Sequence, residues 1–198
     1  GLSGCSRKFH KWARLHKIAN GNTLRKVLLN SWEGVYFDIN EQRMEQMMND
    51  IASMGGELFV MDDGWFGDKY PRKNDSYGLG DWTVDRTKLP GGLQSLLNDA
   101  RKHGIRFGIW LEPEMTNTKS ELYEQHPDWV IKAPERELIC DRGGTQVVLD
   151  LSNPKVQDFI VQTVDKLMTS YPDIDYIKWD ANTSIVNQGS QYLTKDNQ

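Results

Sequence analysis

One rhythm constrains this 198-residue chain more than any other feature: a short, almost continuously apolar run ends at a polar or acidic residue, an amphipathic stretch follows, and the pattern recurs. Val27-Leu28-Leu29-Asn30-Ser31-Trp32 opens it, with Glu33 next. Leu58-Phe59-Val60-Met61 runs into Asp62-Asp63, Ile105 to Leu111 into Glu112-Pro113-Glu114, Val147-Val148-Leu149 into Asp150, and Tyr176-Ile177-Lys178-Trp179 into Asp180. Runs with no polar alternation belong to strands covered on both faces, the condition of a parallel sheet. The intervening stretches are helical in period. Residues 41–54 align Met44, Met47, Met48 and Ile51; residues 91–103 align Leu93, Leu96, Leu97 and Ala100; the stretch from Pro154 aligns Val156, Phe159, Ile160, Val164, Leu167 and Met168. Gly55-Gly56 and Gly104 stop the first two helices, and Pro154 suits the first turn of the third. Ser120 is placed to cap a short helix that ends before Pro127.

Strand alternating with helix gives an α/β fold. An open doubly wound sheet and a closed (β/α)8 barrel both fit the order of elements. No GxGxxG or GxxxxGK[ST] follows the first strand, so nothing favours a nucleotide-binding sheet. The acidic strand ends favour the barrel, where such ends converge on one rim. A barrel has eight strands in typically about 250 residues. The expectation is therefore an incomplete TIM barrel over residues 26–198, about the first five βα units, preceded by a linker helix within residues 1–25. That N-terminal stretch is basic, and Phe9, Trp12, Ala13 and His16 fall at helical spacing in it. The charges read as a solvated face and the aromatics as a face packed on the barrel or on a preceding domain.

Composition removes several classes of function. A net charge of −4 gives no support to a nucleic-acid or anionic-membrane partner. No run of 18 apolar residues is present, and no secretory signal is visible. Cys5 and Cys140 read as free thiols, and no His, Cys or carboxylate spacing suggests a metal, so no cofactor is expected.

Several carboxylates and tryptophans on one rim suit a sugar site: carboxylates accept hydrogen bonds from hydroxyls, and indole faces pack against a pyranose ring. Glycosidic cleavage usually needs two carboxyl groups, one to attack the anomeric carbon or activate water and one to protonate the leaving oxygen. Spacing does not say which acid does which, and any of them also reads as a helix cap or a structural ion pair.

The motifs narrow the choice. LLNSWEG (28–34), FVMDDGWFG (59–67), GDWTVDRTKLPGGL (80–93), GIWLEPEM (108–115), HPDWV (126–130), VLDLSNPKVQDF (148–159) and YIKWDAN (176–182), in this order, resemble the bacterial alpha-galactosidases of glycoside hydrolase family 36, from about Phe9 to about Asn182. The resemblance implies a retaining hydrolase of terminal alpha-galactosides, with no cofactor, in a cytoplasmic or periplasmic protein whose parent chain is a candidate homo-oligomer. It makes Asp180 the nucleophile. It gives Lys178, which strand parity puts on the same side as Asp180, the task of holding hydroxyls and keeping Asp180 ionised. It gives Asp62 and Asp63 the axial O4 and O6; neighbouring strand residues face opposite ways, so both reach the sugar only where the chain has turned by Asp63. Trp110 corresponds to an aromatic at the sugar, although a packing role fits its position nearly as well. Asn182 is implied to contact a hydroxyl, and Asp81-Trp82 to wall a subsite. Arg142 stands two residues before the usual place of a family arginine, and Thr183 replaces another. The family's acid/base comes from a later strand, beyond residue 198, which makes Glu112 and Glu114 structural. Alternatives on the same barrel are an alpha-N-acetylgalactosaminidase, a raffinose-synthase-like transglycosidase and a non-catalytic sugar-binding fragment.

Overall fold

The computed structural model describes residues 1–186 and 188–197. Four strands, β1 (Leu28–Asn30), β2 (Leu58–Met61), β3 (Arg106–Leu111) and β6 (Ile174–Trp179), form one sheet in that order, every pair parallel. Asn30 lies beside Val60, Met61 beside Ile109 and Leu111 beside Trp179, so all four C-terminal ends lie along one edge. The single turn α2 (Trp32–Val35) and helix α3 (Glu41–Ser53) join β1 to β2, α4 (Gly92–Lys102) joins β2 to β3, and α7 (Pro154–Ser170) leads into β6. The α/β class and the parallel sheet are as expected.

Helix α3 starts where the Asn40 side chain accepts the Arg43 N–H, and it buries Met44, Met48 and Ile51. Helix α4 buries Leu93, Leu96, Leu97 and Ala100. These faces cover Phe59, Met61, Phe107, Ile109 and Leu111 in one core, each large side chain stabilising the fold by roughly 1.5–3 kcal/mol. The ladder between β3 and β6 carries one irregularity. The pairing with β6 shifts register between Phe107 and Gly108, and a Cβ on Gly108 would sit 3.0 Å from Tyr176 and from Val60. A side chain at this position would press on both neighbouring strands, so glycine suits their close approach.

The run at 147–149 corrects the expected five parallel strands to four. Strand β5 (Gln146–Val148) leaves the parallel sheet and pairs antiparallel with β4 (Met115–Asn117), a short strand just past the end of β3. Val147 and Leu149 are buried, as an apolar run predicts, but in a second cluster with Leu122, Trp129, Val130, Val156 and Ile160. Apolar patterning reports burial and not the pairing partner. The whole stretch from Glu112 to Asn153 is thus an excursion from the sheet edge. It also carries α5 (Glu121–Gln125), which the Ser120 side chain caps as expected, and the single turn α6 (Arg142–Thr145). The N-terminal helix α1 (Leu2–His16) forms but buries no residue; Phe9 and Trp12 stack on each other at 6.0 Å and stay exposed.

The long loop between β2 and α4 has a polar core. Arg72, fully buried, makes three hydrogen bonds to the Asp63 carboxylate (2.8–3.2 Å) and donates to Asn117 Oδ1 and the Tyr77 carbonyl. The Lys88 ammonium donates to the carbonyls of Phe37, Gly64 and Arg72 at 2.8, 2.6 and 2.8 Å, tying three chain segments together. Lys88→Met leaves those carbonyls without their donor. It is expected to lower the unfolding free energy by about 1–3 kcal/mol, read from chemical denaturation; a loss within ~0.5 kcal/mol would mean that water replaces the ammonium freely.

Candidate active site

Strand geometry concentrates polar groups at the C-terminal sheet edge. Trp110, Lys178 and Asp180 share one face, since Trp110 pairs with Lys178 and Asp180 follows two residues later. Trp110 is buried, its ring stacked on Phe66 at 6.1 Å, and its Nε1 donates to Asp180 Oδ2 at 2.9 Å. Packing and site role therefore coincide in one indole. The Ala181 N–H donates to Asp180 Oδ1 at 3.0 Å. Lys178 Nζ lies 2.8 Å from Asp62 Oδ2 and 4.0 Å from Asp180 Oδ2, and so bridges two carboxylates across β3. Burial alone would raise the Asp180 carboxyl, but hydrogen bonds from Asn182, Trp110 and the Ala181 N–H, with the Lys178 charge, hold it below the usual carboxylate value. Its side chain remains 28% exposed, so an ionised oxygen stays reachable from outside.

The two neighbouring aspartates divide. Strand β2 has ended by Met61, and both carboxyls are buried. Asp62 faces the shared side, accepting from Asn30 Nδ2 at 2.6 Å and from Lys178. Asp63 turns to Arg72. Arg142 reaches Asp75 at 3.3 Å, and no hydrogen bond joins it to Asp62, Lys178 or Asp180 among the described residues. The site thus gathers Asp62, Trp110, Lys178, Asp180 and Asn182, while Asp63 and Arg142 stand behind it on the loop. Asp81 is buried, and its two oxygens accept the Glu121 and Leu122 N–H groups at the start of α5, which makes it a helix cap.

Two contributors were not singled out from sequence. Asn30 holds Asp62 and also accepts the Trp32 N–H at 2.7 Å; its place at a strand end is the one signal of it in the sequence. Arg72 lies in an aperiodic loop and had no signal. Glu114 accepts the Trp179 indole N–H at 2.7 Å on the other side of the strand. No cluster of His, Cys, Asp or Glu among the described residues is arranged to hold a metal ion, and no helix among them is long and apolar enough to cross a membrane.

A parallel α/β sheet with an aspartate, a lysine and an indole gathered at its C-terminal edge defines the class: an α/β protein whose polar groups converge where its parallel strands end. The chain matches the family profile described as melibiase over residues 1–198, and it belongs to that family. It is 47% identical over 195 residues to alpha-galactosidase C of Emericella nidulans, covering 93% of this chain and 26% of that one. It is 42% identical over 200 residues to alpha-galactosidase AgaA of Geobacillus stearothermophilus, covering 100% and 27% respectively. A crystal structure of GH36 AgaA in complex with raffinose has a TM-score of 0.91 to this chain at 41% identity, covering 100% of it and 27% of the other. The chain therefore spans about a quarter of the length of the relatives it matches.

Proposed function

We propose that residues 26–198 are the first four βα units of a (β/α)8 catalytic barrel, that residues 1–25 lead into it, and that the complete enzyme is a retaining alpha-galactosidase with Asp180 as nucleophile. The observation that carries the proposal is the Asp180 carboxylate, held ionised by Trp110, Asn182 and Lys178 yet still reachable from outside. The edge of β6 supports the incomplete barrel: Tyr176 and Trp179 are 43% and 47% exposed, as suits residues that a further strand and its helix would cover.

On this reading Asp180 Oδ attacks the anomeric carbon of a terminal galactose. The glycosidic C–O bond breaks, and the leaving oxygen takes a proton from a carboxylic acid on a later strand. Water then attacks the same carbon, returning a proton to that acid and freeing Asp180, with configuration retained overall. Asp62 and Lys178, hydrogen-bonded to each other, turn to sugar hydroxyls. Trp110 orients Asp180 beneath the ring, and the exposed Asn182 side chain lies beside a hydroxyl. Asp63 offers only the lone pairs that Arg72 leaves free. Arg142 has to leave Asp75 to reach a sugar and falls outside the proposed contacts. Substrates are small galactosides of the raffinose and stachyose kind, the ligands of two AgaA complexes.

The test is release of nitrophenol by the complete polypeptide from nitrophenyl alpha-galactoside, alpha-glucoside and alpha-N-acetylgalactosaminide in parallel. The galactoside is expected to lead by at least ~100-fold, because a buried carboxylate that loses its hydroxyl partner is costly. Preference for another sugar would keep the barrel and overturn the galactosidase. The 198-residue chain by itself, without a second catalytic carboxyl, is expected to turn over none of the three.

A further inference from the structure

Glu112 sits one residue past the end of β3, two beyond Trp110, and is wholly buried. Its Oε1 accepts the backbone N–H of Asn182 at 2.5 Å, and Gln146 Nε2 approaches the same oxygen at 3.3 Å. Its Oε2 has no protein partner among the described residues, and neither does Gln146 Oε1. Charged groups face it from three other segments: Asp180 after β6, Asp63 after β2, and Arg72 from the loop. Two of these three are acids. Burial pushes the Glu112 carboxyl up to about 7, against the pull of the Asn182 N–H, with Asp180 and Asp63 adding to the rise.

Buried polar atoms left without partners call for an explanation. A proton on Glu112 provides one for Oε2, because a buried carboxyl without a partner costs less neutral than charged. It also removes a like charge from beside Asp180. The bond to Asn182 then gains a second meaning. The side chain of Asn182 donates to Asp180, so whatever fixes the Asn182 backbone fixes a donor to the nucleophile. Burial keeps Glu112 itself from touching substrate.

We propose that Glu112 is a positioning residue that clamps the Asp180–Asn182 turn to the end of β3 by accepting the Asn182 N–H, and that a proton on its carboxyl keeps a second negative charge away from Asp180. The proposal rests on Asp180 being the nucleophile.

The experiment compares wild type, E112A, E112Q and D180A of the complete polypeptide on nitrophenyl alpha-galactoside, as kcat and KM from pH 4 to 9. E112A removes the clamp and is expected to lower kcat by roughly 10–100-fold, the scale of a misplacement of about 1 Å, with KM changed less than about threefold. E112Q keeps an acceptor at Oε1 and cannot ionise. It is expected to stay within about threefold of wild type below neutral pH and to lose less activity than wild type from pH 7 to 9, where both enzymes also lose the proton of the leaving-group acid. A folded E112A with wild-type kcat, or an E112Q whose alkaline decline coincides with that of wild type, overturns the proposal. Should E112A fail to fold, the E112Q profile decides. D180A separates the two claims: an inactive D180A beside an unaffected E112A sinks only the clamp, whereas an active D180A sinks the nucleophile and the clamp together.

Discussion

Asp180→Ala in the complete polypeptide is expected to reduce hydrolysis of an aryl alpha-galactoside by on the order of 10⁴-fold or more, as loss of a covalent nucleophile does. The fold should survive. Asp180 lies past the end of β6, is partly exposed, and its loss strips one hydrogen bond each from Trp110, Ala181 and Asn182, a cost of about 2–3 kcal/mol in all. A collapse of the whole protein would therefore not explain the loss of rate. Azide provides the decisive addition. In D180A the anion enters the space left by the carboxylate, attacks the anomeric carbon from the same side, and leaves beta-galactosyl azide, with the aryl oxygen departing as phenolate. Recovery of rate with that product ties the defect to nucleophilic attack. A D180A enzyme that retains a tenth of the activity would make Asp180 a structural strand-end residue.

Most of this arrangement was legible in the residues because strand parity and strand ends carry over directly into space. Lys178 and Asp180, two apart, do share a face, and their charges lie 4.0 Å apart. Glu112 likewise follows Trp110 on one side of β3. The adjacency of Asp62 and Asp63 posed a question that parity alone left open, and the structure divides the pair between Lys178 and Arg72. Arg72 itself was invisible, since nothing local marks a loop arginine as the partner of a carboxylate nine residues earlier. The run at 147–149 was legible as buried and illegible as to its partner, because an apolar strand reads the same beside β3 or beside β4. In the sequence Glu112 is one more acid at a strand end, and the family resemblance makes it structural. Only its burial and its bond to the Asn182 backbone turn it into a candidate support for another.

The largest loss of stability is expected from Arg72→Met, about 3–5 kcal/mol, because removing one partner of a buried ion pair strands the other. Asp63 is only 4% exposed, and Arg72 supplies all three of its side-chain hydrogen bonds from the loop. The same guanidinium also donates to Asn117, whose amide holds the Leu79 N–H and the Thr145 hydroxyl, so the variant loosens the contact of the loop with β4 and α6 as well. The pH dependence has a definite sign. Burial already raises the Asp63 carboxyl even with Arg72 in place, and without the cation it rises further. A carboxyl raised in the folded state costs stability when ionised, and that cost fades as pH falls toward its unfolded value. The R72M defect should therefore be larger at pH 7.5 than at pH 5, and Asp63→Asn combined with R72M should recover a good part of it at the higher pH, where a neutral amide replaces a stranded carboxylate. Denaturant midpoints of the two variants at the two pH values measure all of this. A defect in R72M that neither shrinks in acid nor is relieved by the second substitution would place the cost in the lost bond to Asn117, and the loop would then hang on that amide rather than on the ion pair.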